Sequence, residues 1–195
     1  MRQGRSKSHS PPLEGWQAKP DGVVMLTFNP ISFLTEVVRI PSLSSQEADC
    51  AHHIAQALSP FATRAFVDAS GSAVAEFHSD PSLPHVMMVG HIDTVAGHIP
   101  VEVKYGKLYG RGSVDAKGSI CTAYAAAVEL ARAKEPLHLT LIGATEEAPS
   151  SRGARYALAN YPKPDMLLIG EPSAWDAVTL GYKGRLISRT EPEQR

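Results

Sequence analysis

A three-layer α/β/α sandwich around a mixed central sheet is the fold this sequence predicts, on three observations. Strand and helix patterns alternate along most of the chain. Several of the strands are continuously apolar, as strands covered on both faces must be. One long helical stretch is so rich in small residues that it can lie close against a sheet. With 195 residues, 43% of them apolar and 20% charged, the chain is long enough for one ordinary domain with its own core.

Residues 1–24, rich in Ser, Pro, Gly, Lys and Gln without a sustained period, read as a disordered extension, and Met25 offers an alternative start. Asn29-Pro30, a helix cap followed by proline, opens a helix through Val38 that must stop before Pro41. Ser44-Ser45-Gln46-Glu47 has the spacing of a capping box, and Ala51, Ile54, Ala55 and Leu58 give the helix after it an apolar face. Strand patterns follow at Ala65–Val67, Ala73–Phe77 and Val86–Val89, then a hairpin of Val101–Val103 with Leu108–Tyr109. A small-residue helix spans about Gly118 to Arg132, with Ile120, Tyr124, Ala127, Val128 and Ala131 at helical spacing. A strand at Leu137–Ala144, a helix at Ser150–Ala159 and a strand at Met166–Ile169 complete the alternation.

Composition excludes several function classes. A formal net charge of −1 and 7% aromatic residues leave no electrostatic footprint for nucleic acid. No apolar run approaches the roughly 20 residues of a membrane helix, and no apolar segment follows Arg2, Arg5 and Lys7 as in a secretory signal, so the expected location is cytoplasmic. Cys50 and Cys121 lie in helical patterns and read as buried reduced thiols. "GSVDAKGS" (112–119) carries Lys and Gly in the wrong order for a phosphate loop.

Polar residues of the same few kinds stand at successive strand exits, where α/β sheets collect their functional groups. His91 and Asp93 follow Val86–Val89, Asp115 follows the hairpin, Glu146 and Glu147 follow Leu137–Ala144, and Glu171 follows Met166–Ile169. One histidine and five carboxylates converging on a crevice would repel one another unless a cation joined them. Imidazole and carboxylate donors without thiolate suit zinc or a similar divalent ion such as cobalt or manganese, and the number of donors fits two ions. Asp115, between glycines 110, 112 and 118, is placed to bridge them. Adjacent residues leaving a strand point apart, so one of Glu146 and Glu147 can bind metal while the other faces substrate. The remaining histidines, His52, His53, His78, His85, His98 and His138, read as core or surface residues, with His98 the nearest in sequence to the candidate site.

"GHIDTV" (90–95), "YGRGSVDAKG" (109–118), "ATEEAPSSRGA" (144–154) and "IGEPS" (169–173), in this order, resemble the M20 family of dinuclear metallopeptidases and amidohydrolases. The likeness covers most of residues 25–185. The short spacer from His91 to Asp115, with "EEAPSSRGAR" and "GEPSAWDAVTLGYKG", is most similar to the branch that releases lysine or ornithine from a small amino-group carrier protein in lysine and arginine biosynthesis. The resemblance implies that His91 and Glu171 ligate one metal (zinc or cobalt), Glu147 the other, and Asp115 both. It also implies that Asp93 orients His91, that Glu146 is the general base, and that the Asp115–Ala116 peptide is cis. It further implies an acidic carrier docked near Arg152, Arg155, Lys183 and Arg185. Deacylation of N-acyl amino acids and dipeptide hydrolysis are the neighbouring activities.

Family members are longer. They carry an inserted lid and dimerisation domain after the "GYKG" strand, and a late histidine for the second metal. Residues 25–185 therefore read as the N-terminal part of a catalytic domain and 186–195 as an aberrant polar tail. The rival expectation is a truncated, inactive fragment that binds at most one metal.

Overall fold

A computed structural model describes residues 27–147, 150–172 and 179–180. The extension at 1–24, the tail at 186–195, and Lys183 and Arg185 lie outside them. The first helix, α1 (Pro30–Arg39), starts as expected: Asn29 Oδ1 accepts from the Ile31 and Ser32 N–H groups, both at 3.0 Å. Phe33, Val37 and Val38 form its buried stripe.

The second helix, α2, begins only at Ala48 and runs to Leu58, which corrects the capping-box reading. Tertiary contacts take the residues that the box would have used. Ser44 Oγ donates to the Asp93 carboxylate at 2.6 Å, Ser45 turns left-handed at φ 71°, and Glu47 accepts from the Ser45 N–H instead of folding back on Ser44.

Next come β1 (Arg64–Val67), β2 (Ala73–Phe77) and β3 (His85–His91), then a separate hairpin of β4 (Glu102–Lys104) and β5 (Lys107–Tyr109). The chain continues through α3 (Lys117–Ala133), β6 (His138–Ala144), α4 (Arg152–Asn160) and β7 (Met166–Ile169). The main sheet has the order β1-β2-β6-β3-β7 and is mixed, as predicted: β1 and β2 run antiparallel, while β6, β3 and β7 are parallel.

Alternation along each strand sorts side chains to the two faces. On one face, Ala73, Ala75, Phe77, Leu139 and Leu141 join Ile54, Leu58, Ile120, Tyr124 and Val128 of α2 and α3 in the larger core. On the other, Val74, Met87, Ile142 and Ala144 pack with Ala157 of α4. Small residues let α3 approach: a Cβ on Gly143 would stand 2.7 Å from Ile92 Cγ2 and 3.1 Å from the Tyr124 hydroxyl. Cys50 and Cys121 are free and buried, as expected. No helix among the described residues is long and apolar enough to cross a membrane.

β3 and β7 pair with Val89 opposite Ile169, and β3 and β6 with His91 opposite Ala144. His91 and Glu171 therefore leave neighbouring parallel strands at the same level, and Asp93 and Glu146 follow two residues past the His91–Ala144 pair. The parallel register itself gathers these groups at one end of the sheet.

Candidate metal centre

His91, at the end of β3, holds the middle of the site. Its Nε2 lies 3.0 Å from Asp115 Oδ1 and 3.9 Å from Glu171 Oε2, and one ligand atom from each of these three residues lies within 4.8 Å of the others. The other ring nitrogen is already occupied: Nδ1 is 2.9 Å from the Asp93 backbone carbonyl and 3.3 Å from its carboxylate. The ring is thus fixed with Nε2 turned toward the acids, as a metal-binding histidine requires. The shorter contact is to the Asp93 carbonyl, not to the carboxylate that the sequence pointed to.

The Asp93 carboxylate, 4% exposed as a residue, also accepts from Ser44 Oγ at 2.6 Å and from the Glu147 N–H at 3.1 Å. Burial pushes its pKa up, but hydrogen bonds from His91, Ser44 and the Glu147 N–H outweigh it and hold the carboxyl below its ordinary range. Burial alone would lower the His91 pKa, yet the bond to Asp93 and the charge of Glu171 raise it to about 9. Burial, with the nearby charges of Asp115 and Glu147, pushes Glu171 up against the pull of His91. The acids around Nε2 thus favour a positive charge at this point, which a proton on His91 or a divalent ion would supply.

Asp115 reaches the site on a loop that leaves its side chain 71% exposed. Its peptide bond to Ala116 is cis, at the position implied by the resemblance. Gly112 sits at φ 84°, and a Cβ there would come 2.8 Å from Thr94 Cγ2, so the loop can pass only as glycine. Lys117, buried at the start of α3, anchors the loop from below. Its Nζ donates to the carbonyls of Val37 at 3.0 Å and Ile40 at 2.7 Å, the open C-terminal end of α1.

The triad faces a cavity of about 440 Å³ lined also by Ser44, Asp93, Arg111 and Glu147. Glu147 thus shares the cavity but stands outside the close group of three. Glu146 does not line it. Its carboxylate accepts from Ser150 Oγ at 2.6 Å and Ser45 Oγ at 3.1 Å and pairs with Arg152 Nε at 3.2 Å. The Ser150 bond, then Ser45 and Arg152, hold its carboxyl below the ordinary range. Two parts of this arrangement had no sequence signal: the Ser44–Glu47 turn under the site and the buried Lys117 behind it. His98 takes no part in the cavity, and His85 and His138 stack with ring centroids 4.2 Å apart at the opposite end of the strands.

The sequence profile of peptidase family M20/M25/M40 matches residues 87–185, a stretch containing every candidate ligand. The chain belongs to this family. Among its relatives, the LysW-lysine hydrolase of Deinococcus radiodurans is 48% identical over 164 residues, which span 83% of this chain and 44% of that protein. A Thermococcus kodakarensis protein named for hydrolysis of LysW-lysine and LysW-ornithine is 37% identical over 82% of this chain and 44% of its own length. This M20 chain therefore spans less than half of either relative. Of solved structures, an M20 family metallo-carboxypeptidase from Sulfolobus solfataricus superposes with a TM-score of 0.62 at 18% identity, over 74% of this chain and 37% of that one. An aminopeptidase from Bacillus cereus gives 0.63 at 15% identity, over 74% and 43% of the two chains. At these identities the likeness is one of fold.

Proposed function

We propose that His91, Asp115 and Glu171 hold a divalent metal, zinc or cobalt, and that Asp115 and Glu147 contribute to a second. Residues 25–185 then form the N-terminal part of a metal-dependent amide hydrolase. The observation that carries this reading is the convergence of His91 Nε2 with oxygens of Asp115 and Glu171 at one end of the sheet, with Nδ1 already held. A bound ion would supply Lewis-acid polarisation of a carbonyl oxygen and acidify water at neutral pH.

The chain's own groups do the rest. Asp93 keeps the His91 ring in one orientation and ties the Glu147 backbone to it. Glu146 is the general base, holding and passing the proton of the attacking water to the departing amine. To do so its carboxylate must exchange Ser150, Ser45 and Arg152 for the cavity. The names of the most similar relatives support LysW carrying lysine or ornithine as substrate, in lysine or arginine biosynthesis. Arg152 and Arg155, both exposed at the start of α4, would meet an acidic carrier, together with Lys183 and Arg185 outside the described residues.

A second reading has its own observation: among the described residues one close ligand group exists and Glu147 is outside it, as in a chain that binds a single ion without turnover. Cobalt titration with amide hydrolysis separates the two. The hydrolase binds two ions, loses the tighter one in His91→Ala, and in Glu146→Gln keeps both ions while its rate falls about a hundredfold or more. One ion and no hydrolysis in the unaltered chain would leave only the second reading.

A further inference from the structure

Glu47 is 2% exposed, and its carboxylate is not used by the helix it precedes. It makes no side-chain cap bond to α2. Oε1 instead accepts two backbone N–H groups, from Ser45 at 3.0 Å and from Glu146 at 3.0 Å across 99 residues of chain. Both partners are non-glycine residues in the left-handed region, at φ 71° and φ 52°. Such turns persist only where surrounding bonds over-determine them.

The Ser45 so placed donates its hydroxyl to the Glu146 carboxylate at 3.1 Å. Glu47 therefore grips Glu146 twice, directly at its backbone and through Ser45 at its side chain. The next peptide group is held in the same manner by Asp93, which accepts the Glu147 N–H at 3.1 Å. Two buried carboxylates from distant parts of the chain thus take the consecutive N–H groups of the Glu146-Glu147 pair. The turn between those grips sends one side chain to the cavity and the other to Ser45, Ser150 and Arg152.

We infer that Glu47 is a positioning residue, whose carboxylate sets the left-handed turn at Glu146 and so decides where the candidate base stands relative to Glu147. The inference rests on the reading of Glu146 as base for its catalytic consequence, and on the described geometry alone for the turn.

Two variants separate reach from charge. Glu47→Gln keeps the accepting oxygen at the same distance and removes the charge. Glu47→Asp keeps the charge beside α2 but shortens the side chain by one methylene. Amide hydrogen exchange, followed by NMR on the metal-free chain, is the first readout. In Glu47→Asp the Glu146 and Ser45 amides should exchange about ten- to a hundredfold faster, the range expected when a buried donor loses its acceptor. The Thr145 amide, held by Ser72 Oγ, should keep its protection, and Glu47→Gln should restore both of the others.

Cobalt binding at the triad should be unchanged in both variants, and kcat should fall in Glu47→Asp with KM unaltered and return in Glu47→Gln. The inference is overturned if Glu146 keeps its protection in Glu47→Asp, if Asp rather than Gln preserves it, or if protection falls evenly across the sheet. If the unaltered chain binds cobalt but cleaves no amide, the assignment of Glu146 as base fails, while the exchange measurement still decides whether Glu47 places the turn.

Discussion

His91 shows how one residue carries several constraints. Its folded pKa of about 9 lies above the ordinary 6.5 because Asp93 and Glu171 favour the imidazolium more than burial opposes it. The folded metal-free chain therefore binds more protons than the unfolded chain between these two values. That contribution to stability is fully present below pH 6.5 and is lost as the pH rises through about 9. Urea denaturation with a chelator present should show it, with His91→Gln flattening the slope across that window. Metal must displace the same proton, so cobalt affinity should tighten by about tenfold per pH unit over the window. An affinity independent of pH would mean that Nε2 is not a ligand. Most of the site's residues were legible because each stands immediately after an apolar strand, where a charge has no packing role. Glu47 was not, because a glutamate at the start of a helix looks like an ordinary N-terminal acid. Only the distance to Glu146 reveals its other use.

At the scale of elements, α1, α3 and the Asp115 loop are joined by one buried ammonium. Lys117 satisfies the last carbonyls of α1 where Ile40 and Pro41 turn the chain away, and burial holds its pKa below the ordinary lysine value. Lys117→Met keeps most of the stem's volume but takes the ammonium donor from the Ile40 carbonyl and leaves the Val37 carbonyl with only the Ile40 N–H at 3.3 Å. It should cost about 1–3 kcal/mol per carbonyl stranded away from water, read from chemical denaturation midpoints. Cobalt affinity should weaken as well, because Asp115 lies two residues before Lys117. Element order and type could be read from periodicity throughout, since the apolar strands and the small-residue helix carry strong patterns. Boundaries moved where tertiary bonds competed: α2 starts at Ala48 because Ser44, Ser45 and Glu47 are engaged at the far ends of β3 and β6.

At the scale of the whole molecule, the sheet is unevenly covered among the described residues. β7 pairs with β3 on one side only among the described residues, and Met166, Leu167, Leu168 and Ile169 are 55%, 53%, 45% and 60% exposed. An apolar strand with one open edge is a template for pairing with further chains. Leu167→Lys should reduce concentration-dependent association in light scattering without altering cobalt binding, since Leu167 faces α4 and not the cavity. The layered architecture could be predicted because it follows from burial alone. The grip of the N-terminal turn on the strand exits could not, because it depends on which distant residues meet.

That grip has a kinetic side. The bonds that complete the metal site span 49 residues from Ser44 to Asp93, 54 from Asp93 to Glu147, 80 from Val37 to Lys117, and 99 and 101 between the Ser45–Glu47 turn and Glu146. Contacts between such remote parts of a chain close slowly, after the local helices and hairpin have formed. As the polypeptide leaves the ribosome, the first helices must wait for β6 before any of these bonds to Glu146 and Glu147 can form. At the proposed metal centre, capture of an ion would follow these closures, since before them the ion would meet only scattered acids.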